Sequence, residues 1–182
     1  MQPTHSNLIH DRSRGSLRSV YSDLAREARH IDAAVDRIRL SGIDLAYEEL
    51  ASVQDLRVLI TEINAATLKF EAEAMLADPE RSQNLRVVMR LLAEERLRVR
   101  CAPLLDWAPN FSVFVDGQGR CDLLLGVHWF QIPYPSRGPA LAVVYRGGQA
   151  DGVRGRFQEM WDLAHDIGPA LRGVFEAAER AT

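Results

Sequence analysis

Helical and strand-like segments alternate along the first hundred residues, and this order constrains the fold more than any single motif. Apolar residues recur at helical spacing from Leu17 to Ala28. His30–Val35 could continue that helix or begin a strand, and the strand is favoured, since the Ser41-Gly42 break follows soon after it. The predicted order is helix 17–28, strand 30–38, short helix 43–50, strand 56–60, helix 66–76 and helix 79–96. This alternation predicts an α/β fold.

The second half of the chain predicts antiparallel strands and a closing helix. Phe111–Val115 and Cys121–Leu125 are separated by the turn signal Asp116-Gly117, which predicts a β-hairpin. Residues 139–145 predict a further strand. One apolar stripe runs from Val153 to Phe175 and predicts a long amphipathic helix that Gly168-Pro169 kinks or splits. We therefore expect a flexible tail over residues 1–14 and one domain over residues 15–178.

Composition narrows the classes of partner. The 182 residues carry 22 basic and 25 acidic side chains, a formal net charge of -3. No global positive field is available for a polyanion, so nucleic acid is not a favoured partner. Lys69 is the only lysine, and this arginine preference fits the coding bias of a GC-rich bacterial genome.

The lack of a signal segment, of a long apolar run and of paired cysteines indicates where the protein is located and which cofactors it uses. The first residues have no apolar signal segment, and no apolar run approaches the roughly 20 residues needed to span a membrane, so a cytoplasmic protein is expected. Cys101 and Cys121 form no CxxC pair and are predicted to be reduced core thiols. The sequence predicts neither a metal site nor a cofactor.

Several strings in this order resemble one repeat of the phospholipase D-like superfamily. Residues 31–35 and 38–43 (IDAAV, IRLSGI) look like its first strand and the following turn, and residues 56–61 (LRVLIT) look like its second strand. The Phe157–Trp161 segment resembles its closing helix. The resemblance covers residues 17 to 167. It implies a mixed β-sheet flanked by helices in a single domain, and a homodimer, since two such repeats usually assemble.

The catalytic signature of that superfamily is replaced in this chain. Active members carry His-x-Lys-x4-Asp on one strand and Gly-Ser-x-Asn on the next, with the histidine as nucleophile and the lysine and asparagine holding phosphate oxygens. With the hairpin turn as anchor, Ala108 falls at the histidine position and Asn110 at the lysine position. Gly126 remains, but Val127 and Trp129 replace the serine and the asparagine. Alanine offers no nucleophile and asparagine no cation, so we expect no catalytic residues of this kind.

The segment from Gly126 to Pro139 is rich in aromatic and polar side chains. In the superfamily's geometry it leaves a strand beside the active-site pocket, so it could line a remodelled pocket for a small anionic or nucleotide-like ligand. The alternative is that the aromatic residues close the core or a dimer interface while the polar ones are structural. The candidate ligand-binding residues are His128, Trp129, Gln131, Tyr134 and Arg137.

Two further sites are weaker candidates. His165-Asp166 has no second histidine at metal-ligand spacing, and an exposed pair late in the terminal helix is expected. Glu62 and Asn64 follow the second predicted strand, where α/β folds often place ligand groups.

The sequence leaves three functions open. The first is a non-catalytic phospholipase D-like module, a pseudoenzyme, that binds a ligand or protein partner as a homodimer. The second is a phosphodiesterase or nuclease with a remodelled site that uses His128. The third is a nucleic-acid-binding domain without cleavage.

Overall fold

A computed structural model describes residues 6–11, 14–40, 47–102, 110–126, 140–146 and 150–182 of the chain. Within them lie eight strands in one mixed sheet, in the order β1-β7-β6-β5-β2-β3-β4-β8. The strands are β1 (Ser6–Asp11), β2 (Ala28–Val35), β3 (Asp55–Ile60), β4 (Leu97–Cys101), β5 (Phe111–Asp116), β6 (Cys121–Gly126), β7 (Ala140–Arg146) and β8 (His165–Asp166). The helices are α1 (Arg14–Glu27), α2 (Ala65–Leu76), α3 (Pro79–Ala93), α4 (Ala150–Leu163) and α5 (Gly168–Glu179), with a 3-10 turn at Tyr47–Leu50.

The centre of the sheet is parallel and the rest is antiparallel. β2, β3 and β4 run in the same direction, with α2 and α3 between β3 and β4. β5, β6 and β7 then form an antiparallel meander on the other side of β2. The predicted α/β fold, a mixed β-sheet flanked by helices, is confirmed.

The helix signals around Asp78 act as the sequence predicted. The Asp78 carboxylate accepts hydrogen bonds from the backbone N–H groups of Glu80 and Arg81, at 3.0 and 3.4 Å. These bonds satisfy donors that the first turn of a helix leaves free. Pro79 occupies the first turn of α3, where its missing N–H costs nothing. α2 and α3 therefore begin and end close to the predicted boundaries, although α3 stops at Ala93 rather than at Arg96.

The two faces of the sheet bury different sets of helices. On the first face, α1, α2, α3 and α5 pack over a large apolar core that includes Tyr21, Leu85 and Phe175. On the second face, α4 packs over a smaller core that includes Phe111 and Phe157. β2 and β3 are buried on both sides, which explains why they are nearly continuous apolar runs.

At the chain ends, one prediction is wrong and one is confirmed. Residues 6–11 do not belong to a loose tail, because they form β1 along the edge of β7. This pairing uses backbone groups, and the polar composition of the segment gave no sign of it. The terminal apolar stripe is split into two helices, one of the two outcomes expected from Gly168-Pro169. α4 ends at Leu163 and α5 begins at Gly168, with β8 between them.

The same break corrects the placement of His165-Asp166. These residues form β8, which pairs antiparallel with Arg100 and Cys101 of β4. Both side chains are exposed, as expected, but they lie at a sheet edge rather than on a helix. The Asp166 carboxylate accepts a hydrogen bond from the Gly168 N–H at 2.8 Å, which fixes the turn into α5. Of the predicted short helix at 43–50, residues 47–50 form the 3-10 turn, and residues 43–46 lie outside the described residues.

Candidate functional site

The carboxyl ends of the parallel strands lie together at one edge of the sheet, the place where α/β folds usually bind ligands. The parallel strands β2, β3 and β4 all finish at this edge. Phe111 of β5 pairs with Ala34 near the end of β2 and with Leu125 near the end of β6. Gly126, the last residue of β6, pairs with Ala142 of β7. The end of β6 and the start of β5 therefore lie side by side at this edge. The resemblance implies that these are the two places where active members of the superfamily carry the catalytic signature.

Backbone geometry explains why the glycine of that signature remains. Gly126 has a φ of 116°, a conformation that side-chain-bearing residues rarely adopt. Its N–H donates to the backbone carbonyl of Asn110 at 2.9 Å, which closes the β5–β6 pair at this end. Asn110 is half-buried and immediately precedes β5. The lysine position of the signature is therefore held at the sheet edge by backbone pairing, with an asparagine side chain in place of a cation.

An open cleft lies beside these strand ends, against α4. Its volume is about 340 Å³. Gly152 and Val153 of α4 form one wall, and Arg156 stands beside them. The opposite wall comes from Phe111 and Leu125 of the sheet. The described part of this cleft is thus mainly apolar, with one guanidinium group near it.

The five predicted ligand-binding residues cannot be placed relative to this cleft. His128, Trp129, Gln131, Tyr134 and Arg137 all lie outside the described residues. Ala108, at the histidine position of the signature, does as well. Their convergence on one pocket therefore stays a prediction. The described residues show where the segment between β6 and β7 starts and ends, since β6 ends and β7 begins at this edge.

A buried ion pair lies under α4, and the sequence analysis did not predict it. Asp32 of β2 is fully buried and Arg57 of β3 is 9% exposed. The guanidinium group donates to both carboxylate oxygens, Nε to Oδ1 at 2.6 Å and an Nη to Oδ2 at 2.8 Å. Gln158 accepts a third hydrogen bond from Arg57 at 2.7 Å, and the Arg154 Nε lies 3.6 Å from Asp32 Oδ2. We call these four residues the Asp32–Arg57 cluster.

Aromatic rings complete the surroundings of this cluster. Phe157 and Trp161 of α4 stack with centroids 5.6 Å apart. The guanidinium carbon of Arg57 lies 5.0 Å from the first ring centroid and 5.3 Å from the second. Arg100 lies 4.8 Å from the Trp161 ring and donates to its backbone carbonyl at 2.7 Å. Since arginine is attracted to aromatic faces, α4 is fixed to β3 and β4 through charged groups as well as apolar ones.

The cluster is built to hold α4 rather than to react. A bidentate arginine–carboxylate pair with a third bond to an amide uses most of the donors and acceptors that these groups offer. A sequence signal for this ion pair existed, because each of two buried strands contains one charged residue. Asp32 lies between Ile31 and Ala33, and Arg57 lies between Leu56 and Val58. Sequence alone did not show that the two charged residues would be neighbours.

His30 is the titratable neighbour of the cluster whose pKa is shifted. Partial burial lowers the pKa of His30 below its ordinary value of 6.5, against the opposing pull of the Asp32 and Asp55 carboxylates. Its Nδ1 lies 3.6 Å from Asp55 Oδ2. Asp55 is also bound by Arg98, through two hydrogen bonds of 3.0 and 2.5 Å. This second pair lies nearer to solvent than the first.

The remaining candidates have structural roles. The Asn64 side chain accepts from the Thr67 N–H at 3.0 Å and caps α2. Glu62 lies 3.3 Å from an Arg37 nitrogen. Burial raises the pKa of both Cys101 and Cys121, so neither thiol is activated as a nucleophile. Among the described residues, no three His, Cys, Asp or Glu side chains gather as metal ligands.

Comparisons with known proteins identify the fold. No family model and no curated protein matches the sequence. Among solved structures, Nuc of Salmonella typhimurium, described as a phospholipase D family member, aligns with a TM-score of 0.58 at 13% identity, over 90% of this chain and 98% of that one. The chain has the phospholipase D-like fold. NucT of Helicobacter pylori aligns with a TM-score of 0.51 at 10% identity, over 90% and 99% of the two chains.

A third solved structure aligns with a lower TM-score. The archaeal chromatin protein TrmBL2, described as binding DNA, aligns with a TM-score of 0.47 at 13% identity, over 89% of this chain and 54% of that one.

In the part of the chain that the structure describes, no helix combines the length and the apolar character needed to cross a membrane.

Proposed function

We propose that this chain is a non-catalytic phospholipase D-like module that binds a ligand or a protein partner and acts as a homodimer. The observation that carries the proposal is the pairing of a phospholipase D-like fold with Ala108 and Asn110 at the signature positions. No His-x-Lys occurs anywhere in the sequence. Without a nucleophile and a cation, the two largest contributions to phosphoryl transfer of this kind are missing. A cytoplasmic location remains part of the proposal.

The open cleft supports a binding role. Its apolar walls, Phe111, Leu125 and Val153, can hold the flat or aliphatic part of a ligand. Arg156 donates one hydrogen bond to Glu159, at 2.7 Å, and its guanidinium group has further donors that can bind an anionic group. The segment between β6 and β7 starts at the same edge and supplies the candidates His128, Trp129, Gln131, Tyr134 and Arg137. A small anionic or nucleotide-like ligand fits this combination of groups.

The charge pattern argues against nucleic acid as the main partner. Most arginines whose side chains are described lie within 4 Å of a carboxylate, including Arg26, Arg37, Arg39, Arg57, Arg90, Arg96, Arg98, Arg120, Arg146, Arg154 and Arg156. A nucleic-acid surface needs cations that can neutralise phosphates. Here, carboxylates already neutralise most of them.

A hydrolysis assay tests the loss of catalysis. We expect the purified chain to cleave bis(p-nitrophenyl) phosphate no faster than a buffer blank, and the His128→Ala variant to behave identically. Activity that disappears in His128→Ala while the thermal unfolding midpoint is unchanged would establish the alternative, a phosphodiesterase that uses His128.

A titration tests the binding role. With AMP as the probe, we expect tryptophan fluorescence to report saturable binding that weakens at least tenfold in Trp129→Leu and in Arg137→Ala. Arg146→Ala serves as the matched control, because Arg146 is an exposed arginine at the opposite end of β7. Equal affinity in all three variants contradicts a pocket built from the 127–139 segment.

A further inference from the structure

The core of the first face, under α3 and α5, contains an apolar cavity. Its volume is about 40 Å³, and its walls include Val58 of β3, Val99 of β4, Val88 of α3 and Phe175 of α5. Every side chain that the structure places in these walls is apolar. The volume exceeds the roughly 30 Å³ that one water molecule occupies in the liquid, but a buried water needs several polar partners. The space therefore suits an apolar group. We call it the core cavity.

Short side chains keep the core cavity open. Four valines contribute to its walls, Val58 and Val99 from the sheet and Val87 and Val88 from α3. Each is one methylene smaller than isoleucine or leucine, and protein interiors contain few voids larger than a water molecule. One added methylene at any of these positions would therefore reduce the space.

A second pocket adjoins the core cavity at the carboxyl ends of β2 and β3. Its volume is about 70 Å³, and its polar lining includes Glu62 and Asn64, the residues that follow β3. Ile38, Leu68 and Leu171 belong to the walls of both spaces. Since these side chains stand between the two spaces, rotamer changes without backbone movement suffice to join them. We call this second space the strand-end pocket.

The charges of the strand-end pocket are balanced. Arg37 and Arg39 lie in its lining. An Arg37 nitrogen lies 3.3 Å from a Glu62 oxygen, and an Arg39 nitrogen lies 3.1 Å from a Glu71 oxygen. An anion placed here would meet Glu62, and a cation would meet the two guanidinium groups. An uncharged hydroxyl both donates and accepts, so it can bond to the donors and lone pairs that these ion pairs leave over.

We infer that the strand-end pocket and the core cavity together bind a small uncharged amphipathic molecule, of which a short-chain primary alcohol is the simplest. The hydroxyl group lies between Arg37 and Glu62, and the alkyl chain passes Leu68 and Leu171 into the core cavity. Polar groups gather at the mouth and apolar ones inside, which matches the two ends of such a molecule. The site lies over the first face, whereas the cleft of the proposed function lies against α4, so the two are independent.

A series of alcohols tests the class of ligand. In methyl NMR titrations with 1-butanol, 1-pentanol and 1-hexanol up to 20 mM, we expect saturable shifts at Val58 and Val99. The affinity should rise about fourfold for each added methylene that becomes buried. Hexanoate and hexylammonium should bind at least tenfold more weakly than 1-hexanol, because each charged group meets a like charge at the mouth. No saturable shift with 1-hexanol, or an affinity independent of chain length, overturns the inference.

Filling the core cavity tests where the chain lies. Val99→Ile should weaken 1-hexanol binding at least tenfold without lowering the unfolding midpoint, because the added methylene occupies the cavity. Val144→Ile is the matched control, since Val144 is equally buried in the first core but is not part of the cavity walls. It should keep its affinity within twofold and unfold at a lower temperature through overpacking.

A second filling variant approaches the same space from the helix side. Val88→Leu should also weaken 1-hexanol binding at least tenfold, and leucine is a better helix former than valine. If both filled variants bind 1-hexanol as tightly as the wild type, the alcohol lies elsewhere and the inference fails.

A charge change at the mouth tests where the hydroxyl lies. Glu62→Gln leaves the guanidinium groups with less compensation, so the affinity for hexanoate should rise at least fivefold while that for 1-hexanol changes less than twofold. Glu73→Gln, which removes a carboxylate paired with Lys69 on α2, should leave both affinities unchanged. Equal hexanoate affinity in Glu62→Gln and the wild type overturns the placement of the polar group. The hydrolysis assay and the AMP titration do not involve these residues, so they decide the proposed function separately.

Discussion

Four helices cover one face of the sheet, whereas α4 is the only helix that the described residues place over the other. The first core is almost entirely apolar and includes Leu85 and Phe175. The second face combines a smaller apolar core with the Asp32–Arg57 cluster and the rings of Phe157 and Trp161. The first face depends mainly on apolar burial, while the second also depends on how its charges are paired.

Because of this difference, the parts of the described molecule that can bind a ligand in an open cleft or change protonation state lie on one side of the sheet. The cleft and the titratable His30 both belong to the second face or its edge. Among the described residues, one helix covers this face and four cover the other, which leaves more of this face available to a ligand. The predictions that follow compare the two faces, beginning with the largest expected effect.

Breaking the buried ion pair should have the largest effect. In Arg57→Met, Asp32 keeps only the more distant Arg154 as a partner, and we expect a loss of about 3–5 kcal/mol in the free energy of unfolding. Urea denaturation at pH 7 measures it. The double variant Asp32→Leu with Arg57→Met removes both charges and should unfold within about 1 kcal/mol of the wild type. A double variant as unstable as the single one contradicts the view that the unpaired charge causes the loss.

A cavity in the first face should cost nearly as much, for a different reason. Leu85 is fully buried in the apolar core, and Leu85→Ala should lower the free energy of unfolding by about 2–5 kcal/mol. Because no charge is involved, the loss should be the same at low and high salt. A strong dependence on salt would mean that the first face also relies on electrostatics.

Titration of His30 should give a smaller effect, limited to the second face. Its pKa is lower in the folded chain than in the unfolded chain, so its contribution to stability is present above pH 6.5 and is lost as the pH falls through the folded pKa. Urea denaturation between pH 7.5 and 5 should show a shallower slope in His30→Gln. An identical slope contradicts this assignment.

The exposed pair beside it should contribute least. Arg98 is about half exposed and its bond to Asp55 faces solvent, so Arg98→Ala should change the free energy of unfolding by about 0–1 kcal/mol. The effect should shrink further in 0.5 M salt, since exposed charges are screened. A loss equal to that of Arg57→Met would remove the distinction between buried and exposed pairs on this face.

The sequence predicted most local elements because their signals are local. Asp78 and Pro79 begin α3, and Asp116-Gly117 joins β5 to β6, through interactions among residues close in the chain. Two strands were not predicted, because their formation depends on pairing with strands distant in the chain. Residues 6–11 form a strand only through pairing with β7, and residues 165–166 form β8 only through pairing with β4.

The candidate site was predicted only in part. The replaced positions Ala108 and Asn110 and the retained Gly126 were predicted from the sequence, and the backbone conformation of Gly126 explains its retention. The cleft between α4 and the sheet edge was not predicted, because Phe111 and Val153 are far apart in the chain. No local pattern encodes such a distance.

The sequence by itself determined most of the order of helices and strands, the caps and turns, and the absence of any His-x-Lys pair. Only the tertiary structure decided that Asp32 and Arg57 bond to each other and that α4 and α5 cover opposite faces. The reason is physical: caps, turns and periodicity depend on neighbours in the chain, whereas charge pairing and the choice of face depend on which strands become neighbours in the sheet.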